Sequence, residues 1–474
     1  MDRTQYDAGR QGHGGFLIAV AASSLKPTRL RRAPLRHCAA IEARTSTAFA
    51  FCASMRRTGR ACVVLTFRPA RRLSAGAGNR RNRGRCPATR RRRASTAGLQ
   101  GDAGMIRTFT HAARPLSAAL LLLVADGASA YKLSTHSSAE ERRLSGIATG
   151  TWAMVEREAA RFSISTFTEP VHEEITNRSY GCNIACDGGE ALNAPAAVLA
   201  GVRWNDDPPF AMTVNQARGI RCNTRDTIRF ETQPVCWVGL FLDANKGAKA
   251  GKRYGPGDAM LYRTHFGDLQ FLHAMAAGNG EPASVTKERI MGWSEFAWRA
   301  SLGEYTLDTR LKEIPIPVIQ SSFGRSEWRI LDLYTQGAGG GLRRVYEDVA
   351  FGSLLHTLQD SYAAGHAQRE EASGVRKCPL ASGAVPAPGA IAEFHAYNQQ
   401  DHGLHADADT GVAFARYLNN PGNSVDIGRA LVDARQRKLP WSEMQPFFDC
   451  VFTLQRPDAP AGPGDHFGGG ASSS

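Results

Sequence analysis

The chain has 474 residues and a formal charge of +14, from 58 Lys and Arg against 44 Asp and Glu. Such a balance would suit nucleic acid or an anionic surface, but it is concentrated at one end. Residues 1–104 hold about 22 basic and about 4 acidic side chains, which leaves the remainder at about −4, a bulk charge that does not favour a polyanionic partner.

The front, residues 1–104, includes "RRNRGRCPATRRRRAST" and fits neither a helical nor a strand period. It reads either as a disordered basic arm or as sequence upstream of the true start at Met105. Residues 105–130, "MIRTFTHAARPLSAALLLLVADGASA", have the plan of a signal peptide. Arg107 and Arg114 precede an apolar run from Leu116 to Val124, and Ala128-Ser129-Ala130 is a small-residue cleavage pattern. The run is too short to cross a bilayer. The mature chain is therefore expected to begin near Tyr131, to carry no transmembrane segment, and to be secreted or periplasmic. Six of its residues are cysteines (Cys182, Cys186, Cys222, Cys236, Cys378 and Cys450), an even set that suits disulfides, with pairing open.

Residues 131–456 are expected to form one mainly α domain. "TEPVHEEITNRSYG" reads as a helix with Thr168 as cap, Pro170 in the first turn and Gly181 past the end. Residues 208–258 have loop or insertion composition, and "PVCWVGLFL" within them is the best strand candidate. "VTKERIMGWSEFAWRAS" puts Ile290, Trp293 and Ala297 on one helical face. "EWRILDLYTQ" is a short helix stopped by the glycines at 337–341. Residues 371–391 read as loop, and 457–474 as a disordered tail.

Between them runs "GSLLHTLQDSYAAGHAQRE". Leu342, Val345, Val349, Gly352, His356 and Asp360 recur at spacings of three and four, so a histidine and a carboxylate continue an apolar stripe into the interior. A buried carboxylate is costly unless paired or metal-bound. A structural His–Asp pair and a divalent metal site both answer that cost. His366 follows Gly365, where the chain can turn. His172 in "EPVHEEITN", Asp206 and Asp207 in "RWNDDPPF", His265 in "YRTHFGDLQFLH", and His405 with Asp409 in "YNQQDHGLHADAD" add ligand-type residues that favour metal.

The order His, W-x-D, H-F-x-D, H-x3-D-x5-H, H-x3-D resembles the superfamily of zinc-dependent phospholipases C and single-strand-specific nucleases, over roughly residues 165–415. The resemblance implies a single-domain helical bundle holding two or three zinc ions. Asp206, His265, His356 and Asp360 would bind one ion. His366, His405 and Asp409 would bind a second, with His402 a rival to His405. His172 would share Asp360 with a third, which the free amino terminus completes in that family. Tyr131 lies some forty residues before His172, which makes the terminus the poorest fit. Gln359 stands where the family has Gly or Thr, and Ala364 where it has Pro. Asp206 and Asp360 would be the catalytic carboxylates, Asp207 or Asp268 could orient water, and Phe266 with Asp268 could hold substrate, although core packing also accounts for that pair. The implied activity is hydrolysis of a phospholipid or other phosphodiester, with single-stranded nucleic acid as the alternative substrate. A non-catalytic, zinc-stabilised envelope protein is the reading from another class.

Overall fold

A computed structural model describes residues 131–146, 156–157, 160, 164–182, 193–336 and 340–468, and the backbone of 48–54 and 60–66. The chain divides into two units, Met1–Ala112 and Ala113–Ser474. In the first, β1 (Ala48–Ser54) and β2 (Arg60–Thr66) form an antiparallel pair. The rest of the basic front and the expected leader, 105–130, lie outside the described residues.

The second unit is mainly α. Its helices are α1 (Ala139–Ser145), α2 (Val171–Ser179), α3 (Ala196–Val202), α4 (Pro234–Lys249), α5 (Met260–Phe266), α6 (Ala283–Ser301) and α7 (Pro317–Phe323). They continue as α8 (Ile330–Thr335), α9 (Gly340–Arg343), α10 (Tyr346–Asp360), α11 (His402–Ala408), α12 (Gly411–Tyr417), α13 (Ser424–Gln436) and α14 (Trp441–Val451). Four short strands lie between α10 and α11: β3 (Ala367–Arg369), β4 (Lys377–Cys378), β5 (Val385–Pro386) and β6 (Ile391–Phe394). β3 pairs with β6 and β4 with β5, both antiparallel. Among the described residues, no helix is long and apolar enough to cross a membrane.

Several expectations change. "PVCWVGLFL" is the start of α4, not a strand. Cys236, Trp237, Leu240, Phe241, Ala244 and Ala248 are buried at a helical spacing, and Pro234, also buried, sits in the first turn where it needs no N–H partner. The stripe through His356 is continuous only from Val349, because Leu342 belongs to the separate α9 and Val345 caps α10. α2 begins after Pro170 without a side-chain cap, and the Thr168 hydroxyl turns back to Ser165 O. Residues 457–468 differ from a disordered tail. Pro460 bridges Pro282, Gly462 bridges His395 and Gly468 bridges Gln400, so the backbone gains partners that its composition does not reveal.

α10 packs between α3 and α6. At the crossing with α3 the two backbones touch. A Cβ on Gly352 would lie 2.1 Å from Val198 O, and one on Gly201 would lie 2.2 Å from Val349 O. The approach lets Asn205, just beyond α3, donate to Ser353 O and Thr357 Oγ1 on α10 and to Leu272 O. Disulfides join Cys222 to Cys236 and Cys378 to Cys450, and Cys182 is disulfide-bonded as well. Gly352→Val is expected to destabilise the domain by about 1–3 kcal/mol through overpacking. Calorimetric melting of the variant beside the parent checks this.

Candidate metal centre

Three groups of buried side chains converge at the end of α10: His172, His356 and Asp360; Asp206, His265 and His273; and His366, His405 and Asp409. Within each group the candidate ligand atoms lie within 4.8 Å of one another. All eight residues expected from sequence as ligands fall in these groups, and His273 is a ninth that sequence reasoning passed over. The grouping also differs from the expected one. His273 accompanies Asp206 and His265, while His356 sits with His172 and Asp360.

Asp360 is the hub. Its Oδ1 is 3.2 Å from His172 Nε2, and its Oδ2 is 2.9 Å from His356 Nε2, 3.0 Å from His273 Nδ1 and 3.7 Å from His366 Nδ1. It ends α10, and the turns at 361–365 bring His366 back towards it.

The imidazoles are held in one orientation. His356 Nδ1 donates to Val202 O at 2.7 Å and His366 Nδ1 to His273 O at 2.6 Å. His265 Nδ1 reaches Leu261 O at 3.1 Å. His172 Nδ1 donates to Gln359 Oε1 at 2.6 Å and His405 Nδ1 to Gln400 Oε1 at 2.7 Å. A carbonyl oxygen only accepts, so each bond fixes the proton on Nδ1 and leaves the Nε2 lone pair for a ligand role. Gln359 is itself anchored, because its Nε2 donates to Thr176 Oγ1 and so fixes the amide that orients His172. His273 is the exception, because its Nδ1 faces Asp360 and lies 3.0 Å from His356 Nε2.

Asp206 is wholly buried, and neither carboxylate oxygen has a hydrogen-bond partner. The nearest imidazole nitrogens stand at 3.7 Å (His265), 3.9 Å (His273) and 3.9 Å (His356). These separations are too long for hydrogen bonds. They are near the distance of about 3.3 Å between two ligands that each sit about 2.0 Å from one tetrahedral ion. His265 Nε2 and His273 Nε2 are likewise buried without a hydrogen bond.

Electrostatics point the same way. Burial raises the Asp206 pKa, but the surrounding imidazoles, His356 first, outweigh it and bring it down to about 2. Burial, reinforced by His172, lowers His356 to about 4. Burial, reinforced by the charge of Asp360, pushes Asp409 well above the usual carboxylate range. Asp206, Asp360 and Asp409 are buried together among imidazoles, and a divalent cation would supply the counter-charge that burial withholds from them. Nitrogen and oxygen donors without thiolate suit a hydrolytic rather than a purely structural metal site.

The first residues of the described domain enter the same site. Tyr131 N lies 3.3 Å from Asp360 Oδ1, and the Tyr131 ring is edge-on to His172 with centroids 5.8 Å apart. The forty-residue offset in sequence is cancelled by the fold. Lys132 O accepts from both Val171 N and His172 N, and Lys132 N donates to Asp409 O. Arg203 bonds Glu173 at 2.6 Å and Ser134 O at 2.9 Å, fastening the segment around Ser134 to α2.

Other expected site residues lie differently. Asp268 makes a bidentate pair with Arg263, at 2.8 and 2.7 Å, which occupies the carboxylate assigned to substrate. Phe266 is buried against Phe241 and Tyr397. Asp207 accepts from Phe230 N, and burial raises its pKa to about 6. His402 is outside the three groups, and His405 is within one. His273 has no helical spacing to betray it. α5 ends at Phe266 and a 3₁₀ turn spans Gln270–His273, so a break in the helix brings His265 and His273 together.

No protein-family model, curated protein or solved structure matches the chain.

Asp206→Asn is expected to cost more stability with metal than without. At pH 8 with chelator the loss should be small, because the depressed pKa shows the carboxylate already favoured by the imidazoles opposite it. With excess zinc the parent should be stabilised much more than the variant. Thermal melts under both conditions read the outcome.

Proposed function

We propose that this protein is an exported zinc-dependent phosphodiester hydrolase of the phospholipase C and single-strand nuclease type, acting on phospholipid. The single observation that carries this reading is Asp206, a buried carboxylate with no hydrogen bond, faced by three imidazole nitrogens at ligand-to-ligand distances. Bound zinc supplies water acidic enough to be hydroxide near neutral pH, and positive charge opposite the phosphoryl oxygens. Asp360 reaches toward all three groups and would fix the spacing between ions. Asp206 would complete the group that includes His265 and His273. The carbonyl and glutamine acceptors behind the imidazoles hold the ligands in place without rearrangement during turnover.

The amino terminus, the poorest fit by sequence distance, gains support for this reading from the position of Tyr131. If the leader is cut after Ala130, the α-amine of Tyr131 stands at Asp360 beside His172. The disulfides favour an oxidising compartment. Phospholipid is preferred to single-stranded nucleic acid on two grounds. The charge of residues 131–474 is about −5, and the Asp268 carboxylate that would hold a base is paired with Arg263.

Residues 131–474 loaded with zinc should hydrolyse phosphatidylcholine. Turnover of none of phosphatidylcholine, single-stranded DNA or a bis-aryl phosphate would overturn the enzyme reading. Asp360→Asn should lose bound zinc and at least about 10³-fold in turnover. A purely structural metal site would instead show a lower melting temperature and no activity in the parent. A form that keeps Ala130 attached should bind about one zinc fewer, measured by elemental analysis, because an amide nitrogen has no lone pair to give.

A further inference from the structure

Outside the basic front, positive charge is concentrated in one stretch. Residues 208–258 hold 8 Lys and Arg against 4 Asp and Glu, while the rest of 131–474 stands at about −9. α4 carries part of this surplus on a single face. Val235, Leu242, Lys246 and Lys249 recur at spacings of seven, four and three, which turns them all to one side of the helix. Val235 is 43% exposed, Leu242 is half-buried, and both lysines are exposed.

The loop before α4 is laid against the same face. Gly239 sits on that stripe between Val235 and Leu242, and a Cβ there would come within 2.8 Å of Ile220 Cγ2. The Cys222–Cys236 disulfide and the hydrogen bonds between Gln233 and Asn223 pin the loop at this crossing. Arg218 and Arg221 lie on either side of Ile220, and both are exposed. Arg218, Arg221, Lys246 and Lys249 have no ion-pair partner among the described residues. The cations of α6 differ, because Lys287, Arg289 and Arg299 are each paired with a carboxylate.

The opposite face of α4 walls the candidate metal centre. Trp237 and Phe241 lie edge-on to His265, with ring centroids 5.9 and 5.2 Å away. The cationic face is therefore one helix thickness, about 10 Å, from a candidate ligand.

Unpaired cations alone would suit any polyanion, so the side chains among them decide the partner. A nucleic-acid single strand needs open aromatic faces on which to stack its bases. Here Trp237 and Phe241 are buried, and Tyr254 is buried with Lys252 over its ring. The exposed face offers aliphatic side chains instead. Val and Leu among Lys and Arg match a helix lying at headgroup level, with its aliphatic groups in the acyl boundary and its cations on the phosphates.

We infer that this face, made by α4 and the 218–221 loop, docks on the surface of an anionic phospholipid bilayer. The inference rests on the phospholipid reading of the neighbouring centre, and adds to it a docking surface and a preference for negatively charged lipid.

The test is cosedimentation of zinc-loaded residues 131–474 with vesicles of phosphatidylcholine, alone or with about one third phosphatidylglycerol, in the cold and with the intact lipid of each pellet measured. The anionic vesicles should bind at least about tenfold more tightly. That preference should shrink as salt is raised. Lys246→Glu combined with Lys249→Glu changes two exposed residues and should weaken binding to anionic vesicles at least about tenfold. Arg221→Glu remains informative if that variant fails to fold by circular dichroism, and should weaken binding about fivefold. Val235→Ser should weaken it about threefold. Equal binding of the two vesicle types, unchanged affinity in the folded charge variants, or displacement from anionic vesicles by an equal charge of single-stranded DNA overturns the proposal. Hydrolysis of a bis-aryl phosphate, followed on the same samples, should be unchanged by these substitutions. Turnover without a preference for anionic vesicles overturns this inference alone, and vesicle binding without turnover of any substrate overturns the hydrolase reading alone.

Discussion

The contact on which the candidate metal centre depends is made by two glycines. Gly201 on α3 and Gly352 on α10 let the helix backbones meet with no side chain between them. That closeness puts Val202 O within 2.7 Å of His356 Nδ1 and delivers the next residues, Asn205 and Asp206, to the end of α10. A wider crossing would separate Asp206 from the imidazoles on α10, and a buried carboxylate with neither water nor cation near it would not be tolerated. Close packing and the site's charge balance are therefore one constraint.

Most members of the three buried His/Asp groups were legible in the sequence, because ionisable residues interrupt apolar stripes. His356 and Asp360 stand out on a helix whose other buried residues are mostly apolar, and His405 and Asp409 repeat the same spacing. What the sequence hid is what depends on chain reversals. His273 is eight residues past His265, a separation that an unbroken helix would not bring to one point, and only the turn at Gly267 does so. Tyr131 is distant from His172 in sequence, and the hydrogen bonds of Lys132 bring them together. The strand read into "PVCWVGLFL" failed because a short run of large apolar residues carries no period of its own, and the helix of which it is part extends several residues further.

The shell behind the ligands explains two residues that composition alone left idle. Gln359 and Gln400 each turn an amide oxygen to an imidazole and commit the amide nitrogen to a fixed acceptor. A glutamine held at both ends transmits the position of distant backbone to a ligand atom. The bundle around the site is ordinary packing of Trp, Phe and Leu. The specificity of the centre lies in these few polar braces.

The Cys378–Cys450 bridge spans 72 positions, and His405 and Asp409 both lie inside the loop it closes. By chain entropy such a closure is worth roughly 4 kcal/mol. With those thiols reduced the tether is absent, and the segment that brings these two residues to His366 is held by its packing into the core alone. The bridge thus couples the assembly of this part of the candidate centre to the redox state of two distant cysteines.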